Sequence, residues 1–426
     1  MIGFIGLSHL GIIYSHATAA KDFEVCCFDP DHGLCSRLSA GQFPVAEPGL
    51  EELFQSNRKR IHFSSDSTDL SRCNVLFFSL DVPTDSANRS DLRPLRKLID
   101  EATPHIAPEA TVIILCQVPP GFTRALRASL AEKNVPWSAN IFCQVETLVF
   151  GNAVERALRP ERYIIGCAEP QKPPPKPYAA WLKAFDCPVF PMRYESAELT
   201  KTAINLFLVS SVATTNTLAE LCEHIGADWA EIVPALRLDR RIGPHAYLSP
   251  GLGLSGGNLE RDLVTIRTLA NEHGTEAGII DAWQLNSIHR RDWVLGKLHD
   301  LVLARLPAPR LAIWGLAYKP NTHSMKNSPS LALLEALAPY VKMAYDPQAR
   351  LETAIPRLEL ARSALEACHH ADALVVMTPW PEFSQIQPAE IKQRMHGNVI
   401  IDPFGALDRK ACLAHGFDYH QLGGSC

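Results

Sequence analysis

The start of the chain combines a strand, a tight glycine turn, a helix and a second strand, and this order constrains the fold most. Apolar residues 2–5 lead into the turn Gly6-Leu7-Ser8-His9-Leu10-Gly11, a helical stretch follows to Ala20, and a strand-like run over residues 23–28 ends at Asp29. Such a unit holds a pyrophosphate at the helix N-terminus and a ribose on the carboxylate. It predicts a dinucleotide-binding domain that prefers NAD, because an acid repels the 2'-phosphate of NADP.

The turn departs from the usual G-x-G-x-x-G pattern at Ser8, where a glycine normally lets the backbone approach the pyrophosphate. Taken alone, the turn therefore fits an ordinary strand-turn-helix as well as a dinucleotide site. Asp29 at the end of the second strand favours the dinucleotide site.

Strand-like runs continue along the chain with helical segments between them. They cover residues 75–80, 111–116, 140–143 and 163–166, and, after the linker Pro307-Ala308-Pro309, residues 311–315, 341–345, 373–377 and 399–401. This alternation predicts an α/β fold with two Rossmann-like, doubly wound parallel-sheet domains joined by a central helical segment.

The central segment contains two long helical patterns, at residues 196–222 and 276–303. The first is apolar on nearly every side, so its surface must be covered by a core or by another subunit. We expect an isologous homodimer built around this helix.

A glycine loop lies between these helices, in the sequence Gly251-Leu252-Gly253-Leu254-Ser255-Gly256-Gly257-Asn258. An apolar-periodic run follows, so Asn258 is predicted to be the N-cap of a helix, with Glu260 and Asp262 in the first turn. A helix N-terminus favours anions and developing negative charge. A cysteine at such a cap would be an activated nucleophile, whereas asparagine cannot be one.

Composition excludes several function classes. A net charge of -5 with no Lys/Arg-rich run argues against a nucleic-acid partner. No apolar run reaches the length of a membrane span, and the first twenty residues lack the basic start of a signal peptide. We therefore expect a cytoplasmic protein without a membrane partner. Twelve cysteines without a Cys-x-x-Cys pair predict buried thiols and no metal site.

Several motifs together resemble the UDP-glucose/GDP-mannose dehydrogenase family over essentially the whole chain. In the family's order, they are EPGLEEL at residues 47–53, AELTKTAIN at 197–205, Arg241-Ile242-Gly243, GLAYKPNT at 315–322, and ADAL at 371–374 with TPW at 378–380. The resemblance implies an NAD-binding domain over residues 1–195, a central dimerisation segment with the glycine loop over 196–305, and a nucleotide-sugar domain over 306–426. It also implies oxidation of a sugar C6 alcohol to a carboxylate with two NAD, through a thioester on cysteine.

The resemblance also implies roles for individual residues. Lys201, Asn205, Asp262 and Glu146 match the family's catalytic positions, and Asn258 stands at the nucleophilic cysteine. The expected NAD contacts are Gly6, Ser8, Leu10, Gly11, Asp29, Pro83, Thr84 and Gln117. The expected contacts to a nucleotide-sugar substrate are Leu148, Arg241, Gly253, Gly256 and Lys319.

The active-site positions are only partly retained. Besides Asn258, Arg261 stands at a lysine, Gln117 at a threonine, Phe150 at a second glutamate and Lys326 at an arginine. We expect a two-electron oxidation of a UDP- or GDP-sugar that ends at the aldehyde. A non-catalytic nucleotide-binding homologue and a dehydrogenase of another alcohol are the alternatives. The retained lysine, asparagine and aspartate favour the enzyme.

Overall fold

A computed structural model of the chain describes residues 1–85, 87–351 and 353–424. The chain forms two compact units, which divide between Ile204 and Asn205 within one long helix. No helix in the described ranges is both long and apolar enough to cross a membrane.

The first unit is built on an eight-stranded sheet in the order β3-β2-β1-β4-β5-β6-β7-β8. The strands are β1 Ile2–Ile5, β2 Val25–Phe28, β3 Ile61–Ser64, β4 Val75–Phe78, β5 Thr111–Ile114, β6 Ile141–Gln144, β7 Tyr163–Cys167 and β8 Val189–Arg193. Strands β1 to β6 are parallel, as predicted. The last two strands differ from the prediction, since β7 is antiparallel to β6 and parallel to β8.

Helices connect these strands and cover both faces of the sheet with buried apolar side chains. They are α1 His9–Ala19, α2 His32–Ser39, α3 Leu50–Asn57, α4 Arg93–Ala102, α5 Phe122–Glu132, α6 Ala153–Leu158 and α7 Lys176–Ala184, and α8 Tyr194–Ile225 continues into the second unit. The strand order reverses direction between β1 and β4. Ligands of open α/β sheets bind at such a point, beyond the carboxyl ends of the strands.

The second unit contains the rest of α8, further helices and a six-stranded sheet. The helices are α9 Trp229–Leu238, α10 Asn258–His273, α11 Gly278–Arg291, α12 Trp293–Leu298, α13 Pro329–Ala336, α14 Ala364–Ala367, α15 Pro388–Arg394 and α16 Arg409–Ala414. The strands are β9 Arg310–Trp314, β10 Val341–Tyr345, β11 Leu358–Leu360, β12 Ala373–Val376, β13 Val399–Ile401 and β14 Asp418–His420. The single helix predicted over residues 276–303 is wrong, because α11 ends at Arg291 and Asp292 precedes a new helix.

The second sheet is parallel throughout and has the order β11-β10-β9-β12-β13-β14. The first six strands of the first unit have the same order when each set is counted along the chain. This confirms the prediction of two doubly wound domains and adds that they share one topology.

His16 shows how tightly the first unit is packed around α1. Its ring is fully buried among Phe43, Phe54 and Phe63, and its Nδ1 lies 2.6 Å from the carbonyl oxygen of Ile12. Burial lowers the pKa of His16 to about 4. Between about pH 6.5 and pH 4, His16 is protonated in the unfolded chain but stays neutral in the folded chain. The free energy of unfolding therefore falls as the pH drops through this range.

We expect the neutral His16 to lower the free energy of unfolding by about 3 kcal/mol between pH 7 and pH 4. Replacing it with leucine should remove most of that pH dependence. Urea unfolding at pH 7.0 and 4.5 measures it for both proteins. An equal loss of stability in the wild type and in His16→Leu would contradict the prediction.

Candidate active site

Two glycines of the first turn are required by the packing of α1 against the sheet. Gly6 has a φ of +90°, a conformation that side chains disfavour. A β-carbon at Gly11 would lie 2.2 Å from the carbonyl oxygen of Gly6. The turn therefore has the tight geometry of a dinucleotide fingerprint, with Leu10 buried beneath it.

Ser8, the departure from the fingerprint, has its hydroxyl held against the chain that follows β4. The hydroxyl donates to the carbonyl of Ser79 at 3.0 Å and accepts the backbone N–H of Asp81 at 2.8 Å. The Ser8 side chain does not cap α1, although the Asp81 carboxylate is hydrogen-bonded to the backbone of Leu10. The free backbone N–H groups of a helix start are the groups that bind a pyrophosphate, so the serine is compatible with NAD.

Asp29 lies beside the same turn, at the carboxyl end of β2. Its Oδ2 accepts the backbone N–H of Leu7 at 2.8 Å, and its Oδ1 accepts that of Asp31 at 3.0 Å. Two donors leave lone pairs of this half-buried carboxylate available for ribose hydroxyls. The position therefore suits the ribose contact that the sequence predicts.

The other predicted NAD contacts follow neighbouring strands at the same edge of the sheet. Pro83 and Thr84 follow β4, where Thr84 bridges to Ser90 and the carbonyl of Pro83 accepts the N–H of Asp91 at 2.8 Å. Gln117 follows β5. The structure thus brings the predicted cofactor residues together around the point where the strand order reverses.

Lys201 and Glu146 form an ion pair in the first unit. The Nζ of Lys201, on α8, lies 2.8 Å from the Oε1 of Glu146, and their side chains are only 14% and 13% exposed. The Oε2 of Glu146 accepts the backbone N–H of Leu148 at 2.9 Å. Lys201 is therefore paired and largely shielded from solvent. The pair is compatible with a purely structural lysine as well as with a site residue, so its role stays a prediction.

A recess of about 20 Å³ opens beside this pair, with room for about one water molecule. Gln117 and Glu198 line it together with Lys201 and Glu146. Glu198 was not predicted, although it belongs to the AELTKTAIN motif. Its carboxylate accepts the N–H groups of Gly121 and Thr123 at 2.6 and 2.9 Å, and burial raises its pKa.

The glycine loop of the second unit is fixed by its neighbours. Gly253 has a φ of +78°, and a β-carbon there would lie 2.3 Å from the carbonyl oxygen of Ser287. A β-carbon at Gly256, with a φ of +81°, would lie 3.0 Å from the Tyr318 ring. Asn216 and Ser287 accept the N–H groups of Gly251 and Leu254 at 2.8 and 2.7 Å. Packing therefore accounts for both glycines, and their contact with substrate stays a prediction.

Asn258 is the first residue of α10, and its prediction as the N-cap is wrong by one position. Gly257 occupies the cap and has no side chain to bond to the helix start. The Oδ1 of Asn258 instead accepts the Nη2 of Arg261 at 3.1 Å, one turn later. Arg261 is almost fully buried. Asn258 and Arg261, two of the departures from the family pattern, are thus bonded to each other.

Asn205 and Asp262 lie in direct contact in the second unit. The Nδ2 of Asn205 donates to the Oδ2 of Asp262 at 2.5 Å, and both residues are buried. The prediction that Asp262 lies in the first turn is wrong, because α10 begins at Asn258 and Asp262 is its fifth residue. The asparagine fixes the orientation of the carboxylate.

The remaining predicted substrate residues have local partners. Arg241 is exposed and forms a two-bond pair with Asp239 at 2.7 and 3.0 Å. The Nζ of Lys319 lies over the Tyr318 ring, 5.7 Å from its centroid. Their roles stay predictions. No three His, Cys, Asp or Glu side chains among the described residues are arranged to hold a metal ion.

The second unit repeats the clasp formed by Leu7 and Asp29. Leu316 follows β9, and its backbone N–H donates to the Oδ2 of Asp346, which follows β10, at 2.7 Å. Asp346 is buried, and four more donors reach it: the backbone N–H groups of residues 317, 348 and 349, and the Nε1 of Trp380. Asp346 thus provides a structural counterpart for testing Asp29.

We expect Asp29→Asn to weaken NAD binding by about 1.5–3 kcal/mol, because the ribose loses its bond to a charged group. The amide oxygen can still accept the Leu7 N–H, so the contact to the turn is kept while the bond to the Asp31 N–H is lost. Calorimetric titration with NAD measures the effect. Asp346→Asn is the matched control, which should lower stability and leave NAD affinity unchanged. Equal NAD affinity in the wild type and Asp29→Asn would contradict the ribose contact.

Domain models of one family match three successive parts of the chain. The NAD binding domain of the UDP-glucose/GDP-mannose dehydrogenase family matches residues 1–179, its central domain matches 195–287, and its UDP binding domain matches 312–409. The matches are in the order that the sequence motifs predicted.

Curated relatives match along the whole chain. The putative UDP-glucose 6-dehydrogenase YtcA of Bacillus subtilis is 30% identical over 97% of each chain. The UDP-glucose 6-dehydrogenase of Rickettsia conorii is 29% identical over 99% of each chain.

Solved structures share the fold. A UDP-glucose dehydrogenase from the archaeon Pyrobaculum islandicum superposes with a TM-score of 0.86 at 23% identity, covering 100% of this chain and 98% of the other. A UDP-D-ManNAc dehydrogenase from Pyrococcus horikoshii gives 0.84 at 22% identity, covering 99% of each chain. With the motifs and the fingerprint turn, the three domain models and the relative of 30% identity show that the chain belongs to the UDP-glucose/GDP-mannose dehydrogenase family of NAD-dependent nucleotide-sugar dehydrogenases.

Proposed function

We propose that this chain oxidises the C6 alcohol of a UDP-sugar by two electrons and releases the aldehyde. The observation that carries the proposal is Asn258, whose amide oxygen is bonded to Arg261 at the start of α10. An amide has no nucleophilic electron pair, so this position cannot form a thioester precursor of the acid. The UDP binding domain match and the UDP-glucose 6-dehydrogenases among the relatives favour uracil as the base.

The Lys201–Glu146 pair supports the first oxidation. NAD, when bound, supplies the acceptor for the hydride of the sugar carbon, and the hydroxyl proton must leave to a base. The Glu146 carboxylate can take this proton while the Lys201 ammonium stabilises the developing alkoxide. Their 2.8 Å contact and low exposure keep both groups preorganised.

The second oxidation lacks an activated thiol among the described cysteines of the second unit. Burial raises the pKa of Cys222, and raises that of Cys368 and of Cys412 to about 12. In the first unit, burial also raises the pKa of Cys116 and Cys143, which line the recess beside Lys201. These thiols stay protonated at neutral pH and are poor nucleophiles.

The other site predictions are kept as parts of this proposal. Asn205 and Asp262 would orient the reacting groups, and the substrate contacts would be Leu148, Arg241, Gly253, Gly256 and Lys319. The three-domain division at residues 195/196 and 305/306 and the cytoplasmic location also stay predictions.

A screen of UDP- and GDP-sugars for NADH formation, with product masses, tests the function. We expect NADH with at least one UDP-sugar and a product two mass units lighter than the substrate. Binding of NAD and UDP-sugars without NADH formation would instead support the non-catalytic homologue. NADH formation only with alcohols that carry no nucleotide would support the third alternative.

We also propose a homodimer formed around α8 and α11. Large apolar side chains are exposed on both helices: Phe207 is 78% exposed, Leu221 50%, Ile225 64% and Leu285 68%. Covering such a surface favours association. Light scattering at micromolar concentration should give twice the chain mass, and Phe207→Asp with Leu221→Asp should shift it toward the monomer. A stable wild-type monomer would contradict this.

A further inference from the structure

One loop of the first unit, residues 146–153, follows β6 and is held at both ends. We name it the Glu146 loop. Its first anchor is Glu146, bonded to Lys201 at 2.8 Å and to the N–H of Leu148 at 2.9 Å. The orientation of the proposed proton acceptor therefore depends on how this loop is held.

The second anchor is Glu47, whose side chain is completely buried. Both its oxygens lie 3.0 Å from the backbone nitrogen of Gly151, and Oε2 accepts the N–H of Ala153 at 3.2 Å. The fourth contact comes from outside the loop, since the Nε2 of His9 lies 2.8 Å from Oε1. The ring of Phe150, within the loop, stacks on the His9 ring at 4.2 Å.

His9 is at the same time the first residue of α1, within the fingerprint turn. It therefore links the place expected for the pyrophosphate to the far end of the Glu146 loop. A ligand bound at this helix start would hold the first turn of α1, and with it the His9 ring that contacts Glu47.

We infer that His9 is a positioning residue through which bound cofactor tightens the Glu146 loop and thereby the binding of nucleotide sugar. The inference rests on the proposed function. It predicts positive coupling between the two ligands, about five- to tenfold in affinity, at the lower end of common allosteric couplings. His9 itself transfers no group.

The test measures the affinity of UDP-glucose by calorimetry with and without saturating NADH, which gives a complex that cannot react. In the wild type, we expect NADH to tighten UDP-glucose binding about five- to tenfold. In His9→Ala, and in Glu47→Gln, the ratio of the two affinities should fall to about one. A merely structural defect would weaken both affinities and leave their ratio unchanged.

His62→Ala is the matched control, because His62 also pairs with a carboxylate, Asp69, but is exposed on β3. Its ratio should equal that of the wild type. Thermal melting checks that each variant is folded. Because both His9→Ala and Glu47→Gln remove the same contact, the test can still be made if one of them does not fold.

The outcomes separate the inference from the function on which it rests. A wild-type ratio of one, or a ratio kept in both folded variants, would overturn the role of His9 and leave the proposed function intact. Wild-type protein that binds neither NADH nor any UDP-sugar of the screen would overturn both.

Discussion

Replacing Lys201 by methionine is expected to lower kcat by about 10²- to 10⁴-fold, the usual contribution of a positioned acid or base. The ammonium is the cation that faces Glu146, at 2.8 Å and with little exposure to water. Methionine keeps the apolar length of the side chain and removes the charge that would stabilise the alkoxide. Steady-state NADH formation with the UDP-sugar found in the screen measures the loss.

Lys172→Met is the matched control, since this lysine also forms an ion pair in the first unit but is 71% exposed. Its activity should equal that of the wild type. Glu146→Gln should lower kcat as well, and the double variant should lose less than the product of the two single losses, because the residues act as one unit. A folded Lys201→Met variant with nearly full kcat would exclude Lys201 from the chemistry.

The second expected result is a stoichiometry of one NADH per sugar. Acid formation requires a group that adds to the aldehyde, and Asn258 and the buried thiols do not provide it. Phe150 also replaces a carboxylate that would help water to attack. Parallel measurement of NADH by absorbance and of product by mass spectrometry counts the electrons, and the carboxylate should form very slowly or not at all.

Asn258→Cys tests whether the cysteine alone is sufficient. We expect only partial acid formation, because Gln117, Phe150 and Arg261 also differ from the family pattern. Asn258→Ser is the control for loss of the Arg261 contact without gain of a thiol. Rapid formation of a carboxylate by the wild type, at two NADH per sugar, would show that another nucleophile replaces the cysteine.

The sequence predicted the central strands well. Strands β1, β4 and β12 are continuous apolar runs, which buried parallel strands require, so their pattern is clear. Edge strands were missed where the pattern weakens. β8 is largely exposed and contains a proline, and β11 has only three residues.

The site was predicted as a set of residues but not as a set of contacts. The sequence marked Lys201 and Glu146, yet their ion pair joins residues 55 positions apart. It also marked Ser8 as an obstacle, whereas the bonds to Ser79 and Asp81 depend on where β4 ends. Helical spacing gives neighbours within one element, while tertiary partners require the folded chain.

The contact between a leucine N–H and an aspartate occurs in both sheets, as Leu7–Asp29 and Leu316–Asp346, but the two carboxylates differ in how many hydrogen bonds they can still accept. Asp29 receives two backbone donors and keeps lone pairs for a sugar hydroxyl, whereas five donors exhaust Asp346. The Asp346 carboxylate therefore has no lone pair left for a ribose hydroxyl and is held in one orientation by its donors. An engineered second cofactor site in this protein would first require the removal of the Trp380 donor, so that the Asp346 carboxylate can accept a hydrogen bond from a ligand.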